Sequence, residues 1–408
     1  MNNSIFQQLR IIISPLAFFY ALVELVNLKK KILRDVVFIA SPVDVQTPMG
    51  KRYFPDKLEG VINVVKQHDL SVLYVFHLFS IKRKFETKSD FKRLEILIPL
   101  IIFTNPIKFM RNYRITKDQL QNQQLTTMKQ RVRETFWISL FSMVKPKIVF
   151  GIGMDQVILS VCKRMGIVTV EAMHGLFDSE RIPFSFKIEP ETVKPEVFLS
   201  WHKDFTKIVQ KLGISAVTIG YPNTCFEQSY LGAEDFENHK ILVTLSWGEK
   251  NCIDPNGTMT PELYEYLKNV PSNILKFRLH PVSCNSKKQI SQNSKWLKKE
   301  FLGCSLVLPF DESLWESLSK CSFHVSYESS SFFEASLLGK NTLLLKHKDK
   351  FTLPIPEKIN DLELLHFDKN TISKKSSHRN KITYSSKFTA PFQAIEIEKI
   401  LVKVNLLN

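Results

Sequence analysis

Residues 147–175 read KIVFGIGMDQVILSVCKRMGIVTVEAMHG. Two apolar runs, KIVFGIG (147–153) and VTVEAMHG (168–175), flank DQVILSVCKRMG (155–166), whose apolar residues recur at helical spacing. A strand covered on both faces is apolar throughout rather than alternating, so the stretch predicts a parallel strand–helix–strand crossover. The rhythm extends in both directions. Before it stand the strand DVVFIASP (35–42), the helix 58–68, the strand 71–79, the apolar run 94–103 and a long helical region, 117–144. After it come the strand VFLSW (197–201), the helix 203–213 and the strand AVTIGYP (216–222). Residues 223–240 are polar and lack a period, which marks a linker. Beyond the linker strands are expected at 240–248, 273–281, 304–309 and 323–327, with helices at 260–270, 286–300, 313–320 and 332–338. SKKSSHRNK (373–381) reads as a solvated loop and 390–405 as an amphipathic helix.

The expected fold is therefore α/β, with two Rossmann-like domains facing a central cleft. The expected boundaries are 1–225 for an N-terminal acceptor domain and 226–389 for a C-terminal nucleotide-donor domain. A C-terminal helix (390–408) is free to pack back on the first domain. A length of 408 residues suits two cores. The formal charge of +16 asks for an anionic partner, and the absence of any nucleic-acid-binding signature argues against nucleic acid. Six cysteines (162, 225, 252, 284, 304, 321) form no CxxC pair and read as reduced thiols of a cytoplasmic protein, with no metal site. The segment 9–28 holds an uninterrupted apolar stretch of 13 residues, short of the roughly 20 that span a bilayer. It reads either as a helix buried on the protein or, with Lys29–Lys31, as a peripheral helix on an anionic membrane face.

In open α/β sheets ligands bind beyond the carboxyl ends of the strands, and four groups of unusual residues fall there. The first is EAMHGLFDSER (171–181). His174 is the leading candidate for a general base because its ordinary pKa lies near neutrality, and Gly175 permits close backbone approach. Asp155, Glu171, Asp178 and Glu180 are alternatives. The second is TLSWGEK (244–250), where Ser246 and Gly248 suit a phosphate-contacting turn. In FRLHP (277–281), Arg278 and His280 share one strand face and Pro281 ends the strand, placing both at a nucleotide. The last is YESSSFFEASLLGK (327–340), with Glu328, Ser329, Ser330, Ser331 and Glu334. Ser331 and Glu334 fit the S-x-x-E capping box, while Ser329 and Ser330 are left over as donors for a phosphate at the helix start.

HG, then HP, then SS followed by E-A-x-x-x-G, in this order, resembles GT-B glycosyltransferases of bacterial surface polysaccharides (capsule and lipopolysaccharide). The HP and SS pair is similar to that of CMP-sugar sialyl- and Kdo-transferases. HG with a late serine motif is similar to CDP-glycerol glycerophosphotransferases, and VTIGYP with a later SSxxxEA resembles UDP-GlcNAc 2-epimerases. The resemblance implies that His280, Ser329 and Ser330 engage the donor nucleotide and its phosphate, and that Glu334 meets the ribose. It also implies a glycosyltransferase that uses a nucleotide-sugar, a CMP-sugar in preference, and a glycan or lipid-linked acceptor, with no cofactor or metal. A sugar-nucleotide epimerase and a non-catalytic glycan-binding scaffold are the alternatives.

Overall fold

In the computed structural model the apolar runs become two separate six-stranded sheets, both wholly parallel. The structure describes residues 34–41, 45–49, 52–77, 124–175, 192–222, 241–246, 252–327 (save 256, 285 and 310), 329, 331–338, 340–346, 364–366 and 392–407. The expectations for 9–31, 94–103, the linker 223–240 and the loop 373–381 lie outside these residues. Among the described residues no helix is long and apolar enough to cross a membrane.

The first sheet has the order β4-β1-β5-β6-β7-β8, built from Val36–Ala40 (β1), Val72–Phe76 (β4), Ile148–Gly151 (β5), Val168–Ala172 (β6), Val197–Ser200 (β7) and Ser215–Thr218 (β8). Between β1 and the helix Glu59–Gln67 (α1) the chain inserts an antiparallel hairpin, Val45–Met49 (β2) with Arg52–Pro55 (β3), which the apolar pattern does not announce. A 3-10 turn, Asp56–Leu58, joins the hairpin to α1.

Why β1 is apolar at every position is plain from its neighbours. Val37 and Ile39 face the helices Gln124–Val144 (α2) and Gln156–Met165 (α3), among Phe136, Trp137, Phe141 and Ile158. Val36, Phe38 and Ala40 face the other way, onto α1 and the helix Ala394–Lys403 (α9). All five β1 residues are fully buried. The last helix thus packs on the first sheet, where Ile397, Ile400 and Leu401 enter the core. Gly60 marks a tight crossing in this layer. Its amide donates to Pro222 O at 2.5 Å, and a Cβ there would stand 2.6 Å from that oxygen.

The second sheet runs β11-β10-β9-β12-β13-β14: Ile241–Thr244 (β9), Leu275–Arg278 (β10), Ser305–Val307 (β11), Phe323–Tyr327 (β12), Asn341–Lys346 (β13) and Leu364–His366 (β14). Its helices are Pro261–Lys268 (α5), Lys287–Glu300 (α6), Leu314–Ser319 (α7) and Ser331–Leu337 (α8); Lys203–Lys211 (α4) belongs to the first sheet. Their starts follow from local chemistry. Asp155 caps α3, Thr260 caps α5 ahead of Pro261, and Ser313 with Glu316 closes a full capping box on α7.

A shared apolar layer joins the two sheets. Met173, Phe198, Trp201, Phe205 and Tyr221 from the first pack with Leu242, Trp315, Leu318, Phe332 and Ala335 from the second. In each sheet the strand order reverses direction once, between β1 and β5 and between β9 and β12. Those reversals open crevices at the carboxyl ends of the strands, where a ligand is expected.

Candidate functional site

Five residues of the first sheet that stand within three positions of a strand end converge on one edge. They are His77 after β4, Gly153 after β5, His174 after β6, Trp201 after β7 and Tyr221 after β8. Lys57, from the 3-10 turn, joins them: its ammonium donates to Tyr221 Oη at 3.0 Å and lies 5.7 Å from the ring centroid of Trp201. His77 Nε2 pairs with Ile152 O at 2.8 Å. His174 is exposed at the end of β6. Loss of hydration, with the charges of Lys57 and His77, pushes its pKa down to about 4, so the imidazole is neutral at pH 7. Gly175 beside it has open space where a Cβ would sit.

The two carboxylates named as alternative bases have other work. Asp155 accepts from the amides of Val157 and Ile158 at the start of α3 and pairs with Arg133. Glu171 is buried and accepts from the amide of Gly153 at 2.6 Å and from that of Met154 at 3.3 Å. It thereby pins the turn after β5, where Gly153 takes a left-handed φ of 64°. Asp155 takes its backbone donors at Oδ1 and Arg133 at Oδ2, and Glu171 takes amide donors at both oxygens. Asp178 and Glu180 lie outside the described residues.

In the second sheet, Ser246 Oγ donates to Tyr327 O at 2.7 Å and so ties the ends of β9 and β12 across the reversal point. The expected strand over 273–281 is shorter than read. β10 stops at Arg278, and His280 and Pro281 stand beyond it, leading into a 3-10 turn at Pro281–Cys284. Arg278 is buried. Its Nη1 donates to Glu312 O at 2.8 Å and to Ser317 Oγ at 2.9 Å, and burial lowers its pKa to about 10. His280 is half-buried at the sheet's edge, with its carbonyl accepting from Ser283 N. Gly248, Glu328 and Ser330 lie outside the described residues.

The capping-box reading of Ser331 and Glu334 does not hold. Ser329 Oγ accepts from Ser331 N at 3.3 Å, and Ser331 Oγ meets Thr244 Oγ1 at 2.8 Å and His324 Nε2 at 3.4 Å. Glu334 leaves its helix start altogether. Its Oε1 accepts from Lys57 Nζ at 2.7 Å and from Tyr221 Oη at 2.6 Å, across the junction of the two halves. Lys57, Tyr221 and His77 escaped the sequence reading. The GYP triplet (220–222) reads as the end of a strand and as part of the resemblance to UDP-GlcNAc 2-epimerases, with no role for Tyr221 itself, and Lys57 sits in a stretch without a period.

His324 lies beneath the serine turn, fully buried, with Nε2 at 3.0 Å from Thr244 Oγ1 and Nδ1 at 3.2 Å from Thr342 Oγ1. Burial pushes its pKa from 6.5 down to about 3. The unfolded chain therefore takes up a proton that the folded chain refuses. The stability held by the neutral ring is full above pH 6.5 and is lost as pH falls from there toward 3. Urea unfolding at a series of pH values is expected to show this decline, and His324→Asn is expected to flatten it by up to about 1.4 kcal/mol per pH unit. An identical pH profile in the variant would contradict the assignment.

Among the described residues no group of three or more His, Cys, Asp or Glu is placed to hold a metal ion. No protein-family model and no curated protein matches the sequence. Solved structures do match along nearly the whole chain. A UDP-N-acetylglucosamine 2-epimerase is 14% identical with a TM-score of 0.53, covering 92% of this chain and 97% of that one. MnaA of S. aureus, solved with UDP, is 13% identical with a TM-score of 0.54, covering 92% and 98%. The UDP-GlcNAc 2-epimerase of Methanocaldococcus jannaschii, solved with UDP-GlcNAc and UDP, is 13% identical with a TM-score of 0.51, covering 90% and 99%. At such identities the likeness establishes the fold, which is α/β with two parallel sheets and GT-B-like. It also corrects the leading expectation of a glycosyltransferase using a CMP-sugar, since the comparisons favour the epimerase alternative.

Proposed function

We propose that this chain is a sugar-nucleotide enzyme that inverts C2 of UDP-N-acetylglucosamine or a closely related UDP-activated amino sugar. The observation that carries this reading is the bond between Lys57 and Glu334. It joins the edge bearing His174 to the edge bearing the serine turn, in a fold that spans UDP-GlcNAc 2-epimerases almost end to end.

The chemistry suits such a two-sided site. The C2 proton of the sugar has no neighbouring carbonyl to acidify it, so a base can remove it when UDP departs from C1 in concert. The C2–H and C1–O bonds break, a C1=C2 double bond forms, and the proton goes to the base. The base releases its proton to solvent, a solvent-derived proton is delivered to the opposite face of C2, and UDP re-adds at C1, which completes the inversion without an acceptor. On this reading neutral His174 takes the proton. Ser329, Ser330 and His280 hold the departing diphosphate, and Glu334 holds the ribose. Asp155 and Glu171 keep the β5 and β6 edges in shape for this work.

Incubation with UDP-GlcNAc in D2O tests the proposal by proton NMR. Deuterium at C2 together with a manno-configured product is expected. UDP binding without exchange at C2 would overturn the reaction, and absence of UDP binding would overturn the substrate class.

A further inference from the structure

We infer that Lys57 is the positioning residue for Glu334 and, through it, the clasp that joins the two halves of the site. This rests on the reading above, which gives Glu334 to the nucleotide; what holds Glu334 is the new element. Lys57 and Tyr221 belong to the first sheet's half, and Glu334 lies 277 positions beyond Lys57, on α8 of the second. The side chain of Glu334 is 1% exposed and that of Lys57 11%.

The carboxylate is served unevenly. Both protein donors, Lys57 Nζ and Tyr221 Oη, reach Oε1, while Oε2 is buried without a hydrogen-bond partner among the described residues. A buried carboxylate oxygen that the described residues leave unsatisfied is suited to a hydroxyl donor from a ligand. The opposite oxygen is held by a cation that also donates to Tyr221 Oη and lies 5.7 Å from the ring centroid of Trp201. The direction of the carboxylate is thus set from the far half of the molecule. Removing the ammonium would leave a buried, uncompensated charge, which either takes up a proton or escapes to water by parting the halves.

Two measurements on the full chain test this: UDP affinity by calorimetry, and ligand-free amide hydrogen exchange in residues 331–337. Lys57→Met is expected to weaken UDP binding by about 10- to 100-fold and to speed exchange in α8. Adding Glu334→Gln removes the stranded charge, so slow exchange should return while UDP affinity stays low. This rescue separates a clasp from simple loss of packing against Trp201 and Tyr221. If Lys57→Met leaves both readouts at the parent's values, or if Glu334→Gln does not restore slow exchange, the inference fails. If the parent binds no UDP yet the exchange pattern holds, the clasp stands and the functional proposal fails. Tyr221→Phe, which deletes only a hydroxyl, gives a milder variant with the same expected direction should Lys57→Met not fold; parental exchange and affinity in that variant would then count against the clasp.

Discussion

His174→Ala is expected to lower turnover of UDP-GlcNAc by about 10²- to 10⁴-fold and to leave UDP affinity nearly unchanged. The residue follows β6 of the first sheet, while the serine turn and the nucleotide contacts proposed for it belong to the second, so its loss should remove a proton acceptor and spare those contacts. Its depressed pKa adds a second signature. A base that titrates near 4 is already unprotonated at pH 5, so kcat/KM should hold its value down to about that pH and fail only below it. An acid limb at pH 6.5 that disappears in the variant would mean that the ring titrates freely, against the crowding by Lys57 and His77. A rise in KM with kcat unchanged would make His174 a binding group rather than the base.

The second large effect is structural. Leu401→Ala is expected to cost about 2–5 kcal/mol, because Leu401 is fully buried and lies in the layer beneath β1. The loss should loosen the first sheet's half. Amide exchange should rise in α1 and β1, which share that core, and stay unchanged in β12 and β13. Faster exchange confined to α9 would show that the helix is an appendage and not part of the core.

The strand–helix rhythm was legible because each parallel strand needs apolar residues on both faces, as the five β1 residues show. Strand ends were less so. Leu279 continues the apolar alternation past Arg278 and makes the strand look longer than the ladder that forms. The hairpin at 45–55 carries Pro48 and Pro55 and no apolar alternation, so neither period marks it.

Around the candidate site the partners of each residue could not be read from the sequence. Ser-x-x-Glu occurs at 313–316 and again at 331–334; the first is a capping box, and the second sends its glutamate across the molecule. Nothing within four residues distinguishes them, because the deciding partner is Lys57. Asp155 was open to a better reading: an aspartate directly before an apolar periodic run is a helix cap before it is a base. His324 looked like one more letter in a strand, and only the packing of β9, β12 and β13 reveals its hydroxyl neighbours.

The placement of α9 also orders events during synthesis. Strands β9 to β14 come from one continuous stretch, 241–366, and can pair as soon as that stretch leaves the ribosome. The earlier sheet must wait, because Ile397, Ile400 and Leu401 fill its core. The half made first is therefore finished last. Until those residues leave the ribosome, the apolar faces of β1, β5 and α1 lack part of their cover.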